Sequence, residues 1–218
     1  MNIWLFRVFG ITVTLHWSWF LVAIYQVKIR AAEYGGSLFW PAAEYIALFA
    51  IVLLHEFGHS LACRQTGGYA SDILLWPLGG VAFVSPPHRP GAQLWSIAAG
   101  PLVNVVLFVP LTPLKVFGAE FFPPAAQNFV FSVWAMNLIL LMFNLLPIYP
   151  LDGGQILRSL LWFVMGPVRS LKVALFIGIL GGAAMMGYAL WSESIWFGVL
   201  ALFVLMQCAR SYAMVRQM

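Results

Sequence analysis

His55-Glu56-Phe57-Gly58-His59 is the stretch of this chain whose residue types and spacing can do chemistry. On an α-helix, positions four apart lie about 40° from one another, one turn along the axis. His55 and His59 therefore share a face, and each can offer an imidazole nitrogen to one metal ion. Glu56 adjoins the first imidazole, where a carboxylate can take a proton from water at that metal, the chemistry of a metal-dependent hydrolase helix. The competing reading is structural, with the histidines bonding between helices and Glu56 paired to Arg64. Two imidazoles are one ligand short of a catalytic zinc site. Of the acidic residues Glu33, Glu44, Glu56, Asp72, Glu120, Asp152 and Glu193, most fall in loops or near helix ends. Asp152 instead closes the run Asn144-Leu-Leu-Pro-Ile-Tyr-Pro-Leu-Asp152-Gly-Gly154. Pro147 and Pro150 prevent a regular helix there, and Gly153-Gly154 let backbone come close. Asp152 is thus either the third ligand or the N-cap of a helix over 153–165.

The elements that must position these groups belong to a membrane protein. The 218 residues are 62% hydrophobic and 8% charged, and the mean hydropathy is +0.91. A soluble domain carries about 25% charged residues, so an ordinary soluble domain, a disordered tail and a nucleic-acid-binding module are excluded. The sequence predicts an all-α polytopic fold of about six transmembrane helices, over 14–30, 40–63, 92–114, 126–147, 170–191 and 194–213, with a shorter helix at 151–166. Residues 67–91 differ, because their apolar runs are too short to span as helices. Gly79-Gly80 between ILLW and VAFV predicts a small membrane-embedded β-hairpin, which must pack on protein or line a wet cavity. One domain is expected over 1–218, with a catalytic core at about 40–160. Basic residues concentrate on one side of this topology, with Lys28, Arg30 and Lys115 opposite, which predicts cytoplasmic termini. The opening MNIWLFRVFG reads as mature chain, and Cys63 and Cys208 read as free thiols.

The HEFGH helix followed by NLLPIYPLDGG resembles the site-2 protease family of intramembrane zinc metalloproteases. Ala99-Gly100-Pro101-Leu102-Val103-Asn104 resembles that family's GPxxN stretch, and GITVTLHW (Gly10 to Trp17) its first-span entry. The resemblance covers about residues 10–160 and fits the short form, without PDZ or CBS modules. It implies one Zn²⁺ held by His55, His59 and Asp152, and Glu56 as general acid and base. It also implies that Asn144 stabilises the oxyanion or positions substrate. The hairpin at Gly79 and Gly80 would line the site and pair with an extended substrate.

The implied activity is peptide-bond hydrolysis within or near transmembrane segments. Because HEFGH lies toward the C-terminal end of its span, the orientation read from the basic residues predicts that water enters from the cytoplasmic side. The implied partners are the lipid bilayer and a membrane-anchored regulator such as an anti-sigma factor or a pro-sigma factor, with no nucleic acid. A bacterial or archaeal cell membrane is the expected location. Asn104 reads equally as a substrate-binding residue or an interhelical hydrogen bond, and Asn137 as the latter. His16 reads as headgroup-level packing, His88 as solvated and Cys63 as a small packed residue. A non-proteolytic scaffold of the same fold, or a metal transporter, are the rival functions. The first predicts loss of a catalytic group, and the second needs polar residues continuing across the bilayer.

Overall fold

The structure, a computed structural model, describes residues 2–77 and 79–216. The elements in chain order are β1 (Asn2–Val8), β2 (Ile11–His16), α1 (Ser18–Arg30), a 3₁₀ turn (Ala31–Tyr34), α2 (Phe39–Gln65), β3 (Tyr69–Trp76), β4 (Gly79–Ser85), α3 (Pro90–Phe121), α4 (Pro124–Asn144), α5 (Asp152–Trp191) and α6 (Ile195–Arg216). Among the described residues, five helices are long and apolar enough to cross a membrane, namely α2 to α6.

Two expectations change. The predicted first span at 14–30 begins as strand, and α1 has only 13 residues. At 1.5 Å per residue that is about 20 Å, against a hydrocarbon core of about 30 Å. The predicted hairpin is half of a four-stranded sheet in the order β1-β2-β3-β4. Trp76 pairs with Gly79 and Leu75 with Gly80, so both glycines belong to β4. The physical reason is visible in Ile11-Thr-Val-Thr-Leu-His16, a period-two pattern whose burial alternates along β2. Ile11, Val13 and Leu15 point inward, as do Ile73 and Leu75 of β3, against Trp19, Val52 and Phe57. β2 and β3 run parallel, a connection that needs a long crossover, supplied here by α1 and α2.

Contacts divide the chain into two compact units. The first, residues 1–87 and 99–141, contains the sheet, α1, α2 and most of α3 and α4. Its α2 ends where Gly67, at φ +84°, turns the chain left-handed toward β3. Thr66 Oγ1 donates to the Cys63 carbonyl (2.7 Å) and Gly68 N–H to the same oxygen (3.0 Å), which satisfies a carbonyl the helix end would leave open. Arg64 donates to the backbone carbonyls of Ala70, Phe9 and Gly10, tying the end of α2 to both hairpins.

At the other end of α2, Glu44 is 2% exposed. Arg30 donates to it from Nε (2.9 Å) and Nη2 (2.8 Å), and the Tyr34 phenol donates to it at 2.6 Å. Arg30 also reaches Ser132 of α4 (2.9 Å) and Glu33 (3.0 Å). Burial, and then the bond to Glu44, push the Tyr34 phenol up to about 12, so it stays a donor at neutral pH. Arg30, discordant as a topology signal, is therefore an internally neutralised charge.

The second unit, residues 88–98 and 142–218, holds the segment 145–151 against α5 and α6. The α5 helix breaks at Gly166 (φ +81°, ψ 172°), before Pro167, where the sequence predicts one helix ending and the next span beginning. Leu175, Val204 and Cys208 form its core, with Ile148 and Tyr149 packed on it.

Removing one partner of a buried ion pair strands the other, a cost of about 3–5 kcal/mol. Arg30→Met is expected to destabilise the protein by about that much, and the double variant Arg30→Met/Glu44→Leu to recover most of it, read as the unfolding midpoint in detergent.

Candidate metal centre

The HExxH segment lies well inside α2, and its three chemical groups are buried: His55 is 3% exposed, Glu56 7% and His59 8%. The two imidazoles meet edge to face, with ring centroids 4.7 Å apart and planes at 84°. Their Nε2 atoms lie 3.0 Å from one another. Two nitrogens bound to one tetrahedral zinc at about 2.0–2.1 Å stand roughly 3.3 Å apart, so the pair is arranged much as two ligands of one ion.

The protonation of His55 follows from a chain of amides. Asn137 Nδ2 donates to the Asn104 backbone carbonyl (2.9 Å), an oxygen that can only accept. That contact fixes Asn137 Oδ1 on the other side, where it accepts from Asn104 Nδ2 (2.8 Å). Asn104 Oδ1 is then left facing His55 Nδ1 at 2.6 Å. An acceptor there requires the proton on Nδ1, which leaves the Nε2 lone pair for a metal. Both asparagines are fully buried, which makes an unmatched arrangement costly. Asn137, expected only to bond between helices, does so and also sets which way Asn104 faces.

Space in front of the imidazoles depends on a glycine. A Cβ at Gly100 would stand 2.3 Å from His59 Nε2 and 2.9 Å from His55 Nε2. The GPxxN stretch thus contributes twice, through the room at Gly100 and the acceptor on Asn104, one turn later on α3. Glu56 has a similar neighbour. A Cβ at Gly80 would lie 2.3 Å from Glu56 Cγ and 2.6 Å from its Oε1, so only a glycine lets strand β4 pass this close to the carboxylate. Gly79 has φ +139° and open space around it.

Asp152 is the first residue of α5; Leu151 is its N-cap, and no side chain caps this helix end. The N-cap reading of Asp152 is thereby replaced, although a carboxylate in the first turn still meets the positive end of the helix. The segment before it is folded tightly. Gln155 Nε2 donates to the Pro150 carbonyl (2.9 Å) and Cys208 Sγ to that of Tyr149 (3.2 Å). A Cβ at Gly153 would stand 2.3 Å from the Leu145 carbonyl oxygen, and one at Gly154 2.3 Å from the Tyr149 nitrogen. Asn144 is the last residue of α4. His55, His59 and Asp152 each offer a ligand atom within 4.8 Å of the others. Two imidazoles and a carboxylate form the N/O donor set that suits zinc, and Gly100 keeps a side chain out of the space before both imidazoles.

The remaining candidates fall to structural roles. Arg64 is occupied by three backbone carbonyls, so the pairing with Glu56 is not made. His16 Nδ1 and Ser18 Oγ share a hydrogen bond at 2.6 Å, His88 is exposed with its ring 4.7 Å from that of Trp162, and Cys63 is buried with Sγ 3.5 Å from the Tyr69 carbonyl oxygen. The Arg30–Glu44 pair was not anticipated; an Arg and a buried-helix Glu 14 residues apart were the available signal.

Second-sphere partners of a metal-binding histidine are typically worth about 10–100-fold in metal affinity. Asn104→Ala is expected to weaken zinc binding by about that factor, measured by chelator competition, while Asn104→Asp, which keeps an acceptor toward Nδ1, loses less.

The model of peptidase family M50 matches residues 43–121 and 112–188. A zinc metalloprotease of Methanocaldococcus jannaschii is 35% identical over 207 residues, covering 93% of this chain and 58% of that protein. Stage IV sporulation protein FB of Bacillus subtilis is 34% identical over 117 residues, 51% of this chain and 38% of its own. The chain spans about half the length of the curated relatives it matches. The solved site-2 protease from Methanocaldococcus jannaschii superposes with a TM-score of 0.67 at 30% identity, covering 97% of this chain and 95% of that one. With its apolar helices and its His-His-Asp group, the chain is an integral membrane protein and belongs to peptidase family M50, the family of the site-2 protease.

Proposed function

We propose that this protein is an intramembrane zinc metalloprotease that hydrolyses peptide bonds within or near transmembrane segments of membrane-anchored regulatory proteins. The observation that carries the reading is the buried His55–Asn104–Asn137 chain, which leaves the His55 Nε2 lone pair facing His59. His55, His59 and Asp152 are the proposed ligands. Zinc, when bound, supplies Lewis acidity that acidifies water and polarises the substrate carbonyl. Glu56 accepts the proton of the attacking water and returns it to the leaving amine. Asn144 is proposed to donate an amide N–H to the developing oxyanion.

A transmembrane substrate arrives with its backbone hydrogen bonds already made, and unwinding it in lipid exposes groups that need new partners. β4 is an outer strand of the sheet, and its free side can take an extended segment by strand addition. Gly80, near the start of that strand, keeps side-chain bulk away from Glu56, and Gly79 beside it is proposed to contact the substrate backbone. Asn104 serves this reading through His55, as a positioning residue. The proposed substrates are membrane-anchored pro-sigma or anti-sigma factors, in a bacterial or archaeal cell membrane. Both termini are proposed to face the cytoplasm, which requires α1 to complete a crossing despite its length; reporter fusions at the two ends read this directly.

The test is cleavage of a single-span substrate by purified protein. Glu56→Gln is expected to lower the rate by about 10²–10⁴-fold or more, with zinc content equal to that of the unsubstituted protein. Equal cleavage by the two proteins removes Glu56 from the mechanism and favours a helix-binding scaffold.

A further inference from the structure

The α3–α4 end of the first unit holds a second polar site. Here Leu114, Lys115, Phe122, Gln127, Asn128 and Phe131 line a cavity of about 230 Å³. Lys115 Nζ stands over the Trp134 indole, 3.5 Å from the ring centroid, and 5.2 Å from that of Phe131. The ammonium thus rests on aromatic faces. An ammonium has three N–H donors, and the ring faces on one side leave donors for a ligand on the other. Gln127 Nε2 donates to the Phe122 carbonyl (2.8 Å), which holds the α3–α4 turn and fixes this wall of the cavity. Asn128, exposed in the second turn of the 21-residue α4, adds an amide to the same cavity. Glu120 is exposed and does not line the cavity.

The sign of the cavity calls for an anion, and its rim says which kind. Leu114, Phe117, Phe121 and Phe131 are exposed apolar side chains around the same helix ends. A free anion would use only the cationic floor, whereas an amphiphile would use the floor and the rim together. α3 and α4 are both long and apolar enough to span a membrane, so their shared end lies at the depth of lipid headgroups. We propose that this cavity binds the headgroup phosphate of an anionic phospholipid, with Lys115 and Asn128 on the phosphate and the acyl chains along Leu114, Phe117 and Phe131.

The experiment is native mass spectrometry of the full chain in detergent, titrated with phosphatidylglycerol or phosphatidylcholine, alongside calorimetric titration with inorganic phosphate. A lysine near an anionic headgroup is worth about a fivefold change in affinity. Phosphatidylglycerol is expected to bind about fivefold more weakly to Lys115→Gln, while Lys115→Arg restores binding and Lys28→Gln, on the exposed face of α1, leaves it unchanged. Phosphatidylcholine is expected to bind more weakly than phosphatidylglycerol, and inorganic phosphate to give no measurable heat. Equal phosphatidylglycerol retention by the unsubstituted protein and by folded Lys115→Gln overturns the proposal. So does equal affinity for phosphatidylcholine, or inorganic phosphate binding as tightly as the lipid.

Discussion

The position of one proton, on Nδ1 of His55, governs what this site can do. An imidazole ligates through a lone pair, and His55 has one at Nε2 only while Nδ1 carries hydrogen. That hydrogen is held by Asn104 Oδ1, whose orientation is set by Asn137, whose orientation is in turn set by a backbone carbonyl that can never donate. Each link is buried, where an acceptor facing an acceptor costs more than a good hydrogen bond contributes. The sequence of constraints thus runs from an invariant property of the peptide group to the chemistry of a side chain on another helix.

The same logic accounts for the glycines near the chemistry. Gly100 clears the volume in front of two imidazoles, Gly80 lets a strand run against Glu56, and the Gly153–Gly154 pair lets the segment before Asp152 fold onto the start of its helix. In each case the residue matters for the atoms it lacks. The polar groups are few, and the small residues decide whether they can converge. At the far end of α2 the device is different: Glu44 is satisfied by a bidentate guanidinium and a phenol, so the desolvation of a buried charge is offset by charge-assisted hydrogen bonds that join α1, α2 and α4.

How much of this was legible in the sequence varied with how local the signal was. His55 and His59 were readable because a spacing of four on a helix fixes a shared face. The break in α5 was readable from Gly166-Pro167, and the absence of regular helix over 145–151 from two prolines. Gly10 to Trp17 reads as the entry to a span and 14–30 as the span, although Ile11 to His16 alternates with period two and is a strand. In a chain this apolar, β1 exposes hydrophobic residues on both faces, and composition overrode pattern. Asn104 and Asn137 were visible singly, but their pairing depends on how α3 and α4 pack. Gly79 and Gly80 were read as a turn because a Gly-Gly pair between apolar runs is a strong turn signal; the register placed them in the strand instead. Arg30 and Glu44 were hidden because a carboxylate near a helix end is ordinarily solvated.

The central claim is that two imidazoles and one carboxylate, with no sulfur, hold the metal. Zinc-edge X-ray absorption on the purified protein tests it most directly. The account predicts scattering from two imidazoles and from light atoms at about 2.0–2.2 Å. A sulfur scatterer near about 2.3 Å, which would implicate Cys63, or a spectrum with a single imidazole, would contradict it.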